Sequence, residues 1–194
     1  MVLLTGSNKI KTAVLISGTG SNLKSLIKFS KRKNSPISID LIISNNSKAM
    51  GLNYGKIFKI KRRVFSFKDK NLAEIRILSV LKKNNIKLIC LAGFMKVLSK
   101  NFIKRFKNKI LNIHPSLLPK YKGLNTHQRA LDGNEKYSGC TVHFVNSKLD
   151  SGKIILQKKI KVSKLDNQKS LEKKILKLEH KIYSAAIYKF LSIL

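Results

Sequence analysis

Several runs in this chain are apolar at successive positions rather than at every second or third. They are Ala13-Val14-Leu15-Ile16, Leu41-Ile42-Ile43, Leu88-Ile89-Cys90-Leu91 and Ile110-Leu111 with Ile113. A strand that is apolar on both faces must be covered on both faces, and helices on either side of a parallel sheet supply that cover. Between the runs the apolar spacing becomes helical. Residues 22–30 carry Leu23, Leu26, Ile27 and Phe29, and residues 72–83 carry Ile75, Leu78, Val80 and Leu81. Alternation of the two patterns predicts an α/β fold with a mainly parallel sheet.

The expected strands cover residues 12–17, 39–44, 63–66, 86–91 and 110–113. The expected helices cover 22–30, 72–83 and 100–106, with 50–58 a helix interrupted by glycines. Beyond residue 114 the pattern changes. A short helix over 126–131 precedes two strands, 140–145 and 154–162, which form an antiparallel hairpin at one edge of the sheet around the loop 146–152. An amphipathic helix over 170–194 closes the chain. At 194 residues with 43% hydrophobic content, one domain with a proper core is expected, and residues 1–10 read as a loose leader. No apolar run approaches the ~18 residues that span a bilayer, and the start does not read as a signal peptide.

Two segments carry chemistry. In Leu111-Asn112-Ile113-His114-Pro115 an amide and an imidazole stand two positions apart, so they share a face of an extended strand. Pro115 steers His114 away from the helical region. An amide donor beside a titratable donor suits an oxygen that gains negative charge. Asp150 completes the group, because a carboxylate near an imidazole favours the protonated ring. The plainer reading is that His-Pro loops and Asp-x-Gly turns are common.

The second segment is Ser17-Gly18-Thr19-Gly20-Ser21-Asn22, a glycine loop opening a helix. From these residues three readings stand: a phosphate cradle at a helix N-terminus, a dinucleotide site, or a structural turn. The dinucleotide fingerprint fits poorly, since Leu23 replaces its third glycine. Asp40 lies about twenty positions beyond Gly20, as a ribose-binding acid would, but inside the strand pattern rather than at its end. His143 reads as a hydrogen-bonded core or supporting histidine and His127 as a helix-start residue. Glu179-His180 reads either as a solvated pair or as an acid kept to hold an amine.

Cys90 and Cys140 read as buried free thiols, which suits a reducing cytosol, and no Cys or His pair has zinc-ligand spacing. The charge is extreme: 41 Lys and Arg against 9 Asp and Glu, a net +32. Such a field attracts polyanions and speeds capture of anionic ligands. Lysine is spread along the whole chain, tryptophan is absent, and aromatic and basic residues do not interleave as in base-stacking surfaces. The reading taken is lysine over solvated faces, with no specific nucleic-acid partner.

Taken in order, Val14 to Leu23, Leu91 to Leu98, Leu111 to Tyr121, Val142 to Val145, Leu149 to Gln157 and Glu179 to Tyr183 resemble the glycinamide ribonucleotide formyltransferase family, the folate-dependent enzymes of purine biosynthesis. The resemblance implies a Rossmann-like sheet. It implies formyl transfer from 10-formyltetrahydrofolate, a co-substrate, to a primary amine, with no metal. It assigns Asn112, His114 and Asp150 to catalysis, and Gly20, Ser21, Asn22 and Glu179 to the ribonucleotide. Folate contacts fall on Lys70, Met95, Lys96, Val97, Leu98, Asn112, Asn146, Ser147, Lys148, Leu149 and Asp150. A cytoplasmic monomer or homodimer acting on small molecules is implied. Lys96 stands where arginine is frequent and loses the planar fork. Lys122 replaces a common proline, which predicts a less rigid loop, and the chain stops at Leu194, short of the tail many members carry. Methionyl-tRNA formyltransferase and formyltetrahydrofolate deformylase share Asn-x-His and a later Asp, but the further domain that each carries finds no room here. Two alternatives remain at this stage: hydrolysis of the formyl folate, and an RNA-binding protein on the same scaffold.

Overall fold

The computed structural model describes residues 9–107 and 109–192. Most of the expected leader lies outside the described residues. Its upper end is corrected: Lys9 Nζ donates to the Ser30 and Arg32 carbonyls, and Ile10 opens the first strand. Among the described residues seven strands, six α-helices and a short 3-10 turn follow one another. They fall into two compact units, Met1–Leu111 and Asn112–Leu194.

In the first unit, β1 (Ile10–Ile16), β2 (Ile37–Ser44), β3 (Lys61–Val64) and β4 (Leu88–Leu91) form a parallel sheet. Ala13 to Ile16, Leu41 to Ile43 and Leu88 to Cys90 are buried almost completely, as runs apolar on both faces require. The strand order is β3-β2-β1-β4-β5-β6-β7, with β5 at Lys109–His114. The order turns at β1, whose neighbours are β2 on one side and β4 on the other. In open α/β sheets that reversal opens a crevice beyond the carboxyl ends of the two strands. Ser17–Asn22 follow β1 there, and Gly93–Leu98 follow β4.

Two helices of this unit each bury one face. In α1 (Ser21–Ser30) the expected apolar face, Leu23, Leu26, Ile27 and Phe29, is buried. In α3 (Lys70–Lys83) the buried face is Ala73, Glu74, Ile77 and Leu81, while Ile75 stands half-exposed. An acid occupies that face because Glu74 accepts from both the backbone N–H (2.7 Å) and the hydroxyl of Ser99. Ser99 in turn caps α4 (Lys100–Arg105) by accepting from the Phe102 N–H. The glycine-interrupted stretch resolves into a 3-10 turn, Met50–Leu52, and α2 (Asn53–Ile57).

The second unit holds the carboxyl half of β5, then α5 (Thr126–Asp132). β6 (Tyr137–Phe144) and β7 (Ile154–Lys161) pair antiparallel as the expected edge hairpin. Long α6 (Gln168–Leu191) packs against both. A capping box of Asn167 and Ser170 starts α6. Asp166 just before it accepts from Lys174, Ser163 and Ser170, and these donors pull its carboxyl down to about 2. Among the described residues no helix is long and apolar enough to cross a membrane.

The glycine loop is seated by a close backbone approach. The Gly51 N–H donates to the Gly18 carbonyl at 3.0 Å, and a Cβ on Gly51 would stand 2.6 Å from Ile16 Cδ1 and 3.0 Å from Gly20 Cα. A Cβ on Gly18 meets nothing within 4 Å. Gly51→Ala should therefore cost about 1–3 kcal/mol in urea unfolding, whereas Gly18→Ala should stay within about 0.5 kcal/mol of the parent.

Candidate active site

β5 ends at His114, where Pro115 turns the chain out of the sheet. Residues 115–121 are then held by the buried hydroxyls of Ser116, which donates to the Lys120 carbonyl, and of Thr141. Thr141 Oγ1, on β6, donates to the Ser116 carbonyl (2.7 Å) and accepts from the Leu118 N–H (3.2 Å) and from Gln157 Nε2 (2.8 Å). Gln157 Nε2 also donates to the Leu118 carbonyl. The bonds return the chain so that the Tyr121 carbonyl lies 2.9 Å from His114 Nε2.

The expected trio comes together. Asp150 Oδ2 lies 3.4 Å from His114 Nδ1, and both side chains are less than one-tenth exposed. The same oxygen accepts from the Gly123 N–H at 2.9 Å. Asp150 Oδ1 faces Asn112 Nδ2 at 3.5 Å. Both ring nitrogens of His114 therefore look onto acceptors, a carboxylate and a carbonyl. Only the doubly protonated ring donates to both.

Asp150 reaches this position from the tight turn between β6 and β7, where its backbone is left-handed (φ 44°). Gly152 makes the turn possible, since a Cβ there would stand 1.6 Å from the Phe144 carbonyl oxygen. Asn146 braces the turn through Nδ2 to the Ser151 carbonyl and Oδ1 to the Lys148 N–H. Ser147, Lys148 and Leu149 are exposed on the same turn. Lys122, the residue expected to loosen its loop, has partners on both sides. Its Nζ donates to Ser151 Oγ at 2.6 Å, and its carbonyl accepts from Arg129 Nη1 at 2.7 Å.

His143, expected as a hydrogen-bonded core or supporting histidine, stands beside the trio. It is buried on β6, its Nδ1 lies 2.8 Å from the Phe144 carbonyl, and its Nε2 lies 3.2 Å from Asn112 Nδ2 and 3.7 Å from Asp150 Oδ1. Burial pushes its ring below the ordinary histidine value, outweighing the Phe144 carbonyl and Asp150, which act the other way. His127, second in α5, is also pushed down by burial, and its Nδ1 has no hydrogen-bond partner among the described residues.

Other expected residues occupy definite places. Gly20 caps α1 in the left-handed region with no side-chain cap, and Ser21 and Asn22 form the first turn. Lys70 opens α3 and is exposed. Met95, Lys96 and Val97 are exposed beyond β4, while Leu98 is buried. The Met95 N–H donates to Ser17 Oγ (2.8 Å) and the Ser17 N–H to the Gly93 carbonyl (3.0 Å), a link that the sequence pattern did not reveal. Glu179 is buried on the packed face of α6, which rules out the solvated-pair reading. Cys90 and Cys140 are buried free thiols, as expected. Burial, and then the charge of Glu179, push the Cys140 thiol up, which leaves it unreactive. Among the described residues no group of three or more His, Cys, Asp or Glu is placed to hold a metal ion.

A Rossmann-like sheet carries an amide, an imidazole and a carboxylate gathered at one strand end, and, with the family match that follows, it places the chain among the one-carbon transferases. The chain belongs to the formyl transferase family, which it matches over residues 10–187. It is 42% identical over 180 residues to the phosphoribosylglycinamide formyltransferase of Haemophilus influenzae, covering 91% of this chain and 85% of that one. It is 44% identical over 182 residues to the human trifunctional purine biosynthetic protein adenosine-3, covering 92% of this chain but only 18% of that protein's length. The crystal structure of phosphoribosylglycinamide formyltransferase from Brucella melitensis superposes with a TM-score of 0.89 at 40% identity, over 94% of this chain and 95% of that one.

Histidines held below their ordinary value of 6.5 give stability a pH dependence. Below 6.5 the unfolded chain takes up protons that buried His143 and His127 refuse. Stability is then complete above that pH and falls as pH drops towards the folded values. Urea unfolding from pH 7.5 to 5 should show this decline, and His127→Gln should flatten it.

Proposed function

We propose that this chain transfers the formyl group of 10-formyltetrahydrofolate to the primary amine of glycinamide ribonucleotide, giving formylglycinamide ribonucleotide and tetrahydrofolate, a step of purine biosynthesis. The observation that carries the reading is the approach of Asp150 to His114, with Asn112 beside them. The chain's similarity to phosphoribosylglycinamide formyltransferases supports it as well. Two buried thiols are consistent with work in a reducing cytoplasm.

The neutral amine attacks the formyl carbon, a C–N bond forms, and the carbonyl electron pair moves onto oxygen. Asn112 Nδ2–H and the protonated His114 ring donate to that oxygen. The formyl oxygen competes with the Tyr121 carbonyl for the His114 Nε2–H. A neutral carbonyl gains little in that exchange, but an alkoxide accepts a hydrogen bond roughly twice as strong. The donation therefore favours the transition state over the bound substrate. Asp150 keeps the imidazolium in place, and a water beside it carries the proton from the attacking amine to the folate nitrogen as the old C–N bond breaks.

Binding roles follow the same reading. The first turn of α1, at Gly20, Ser21 and Asn22, has no side-chain cap and offers N–H donors to the ribonucleotide phosphate. Glu179 holds the amine end of that substrate. Met95, Lys96, Val97 and Leu98, with Asn146, Ser147, Lys148, Leu149 and Asp150, contact the folate, and Lys70 takes its glutamate carboxylate.

Absorbance-monitored consumption of 10-formyltetrahydrofolate should require glycinamide ribonucleotide. Equal turnover without the amine would make the protein a hydrolase. Asn112→Ala, His114→Ala and Asp150→Ala should each lower kcat/KM by about 10²–10³-fold, the effect of removing one oxyanion donor, and near-normal rates in all three would end the mechanism. Both substrates are anionic and the chain carries a net charge of +32. kcat/KM should therefore fall as salt rises, since exposed charges are screened over about 10 Å at 0.1 M.

A further inference from the structure

His143 is buried, yet its two ring nitrogens face different kinds of group. Nδ1 meets the Phe144 carbonyl at 2.8 Å, an acceptor that demands a proton on Nδ1. That carbonyl is itself fixed, because Gly152 packs directly against its oxygen. Nε2 is then left as a bare acceptor, and the group in front of it at 3.2 Å is the Asn112 amide. An amide nitrogen carries two hydrogens. One is taken by His143. The other points towards Asp150 Oδ1 at 3.5 Å, a long and weak contact that a nearer acceptor can replace without turning the amide. In the opposite tautomer Nε2 would donate, the amide would turn its oxygen to His143, and that oxygen would also meet the Asp150 carboxylate.

We infer that His143 is a positioning residue for the proposed formyl transfer: as the Nδ1–H tautomer it fixes the rotation of the Asn112 amide, so that one N–H stays free to meet the developing oxyanion. The inference rests on the reading that Asn112 donates to the formyl oxygen. His143 touches no substrate and acts only through Asn112. The charged groups facing it are Asp150, from the turn after β6, and His114 on β5. Asp150 favours a proton on the ring, while burial and His114 oppose it, and the neutral ring results.

The test compares His143→Ala with His143→Gln, whose side-chain oxygen can still accept from Asn112. His143→Ala should lower kcat by about 10- to 100-fold, the cost of a catalytic group misplaced by about 1 Å, with KM for both substrates within about twofold. His143→Gln should recover part of that loss. In the Asn112→Ala background, His143→Ala should have little further effect, because the two residues act as one unit. Full additivity of the two losses, or unchanged kcat in folded His143→Ala, would overturn the inference. Nitrogen-15 spectra of the intact wild-type protein at neutral pH supply a readout independent of activity: Nε2 should be unprotonated, and a protonated Nε2 would sink the assignment. If wild-type protein fails to transfer formyl at all, the functional reading falls, and the spectra still decide the pairing of His143 with Asn112.

Discussion

The Asp150 carboxylate lies within reach of the His114 ring, the Asn112 amide and the Gly123 N–H, and it is almost wholly buried. An anion taken out of water loses several kcal/mol of hydration unless donors surround it. Here the donors come from the end of β5 and from the loop that follows it. The carboxylate therefore holds the strand end, the His-Pro loop and the β6–β7 turn in one arrangement. The left-handed backbone at Asp150 persists because the turn is braced from outside by Asn146 and Lys122 and from inside by the absence of a side chain at Gly152. Removing the carboxylate would leave the His114 Nδ1 and the Gly123 N–H without the acceptor they share.

In the first unit a different constraint does comparable work. The strand order turns between β1 and β4, and the loops leaving those two strands diverge. Ser17 ties them together through Met95 and Gly93, so that the glycine loop and the exposed Met95–Val97 segment have a fixed spacing. Gly51, pressed against Ile16 and Gly20, sets how deeply the glycine loop sits. Small residues are needed there because backbone meets backbone, with no side chain between to absorb an error.

Where the reading of the sequence fell short, the cause is consistent. On α3 the large residue Ile75 was counted as part of the apolar face, yet the buried set is Ala73, Glu74, Ile77 and Leu81. Hydrophobicity alone does not show that Ser99 offers two donors to Glu74. His143 was read as a hydrogen-bonded core or supporting histidine, which it is, but nothing local says which side chain on another strand its Nε2 meets. For Glu179 the residues left two readings open, a solvated pair or an acid kept to hold an amine, and its burial excludes the first. The Tyr121 carbonyl escaped notice because every residue has a carbonyl, and only the path of the loop makes this one face His114.

The chain's own order of residues was enough to establish alternating strands and helices, the antiparallel edge hairpin and the shared face of Asn112 and His114. Each of these follows from side-chain periodicity and from the backbone limits of proline, which act over a few residues. That Asp150 meets His114, that His143 Nε2 faces the amide of Asn112, and that Glu74 and Glu179 are interior were decided only by tertiary structure. They depend on distances between segments far apart in the chain, and such distances are set by how buried charges and unpaired donors find partners once water has been excluded.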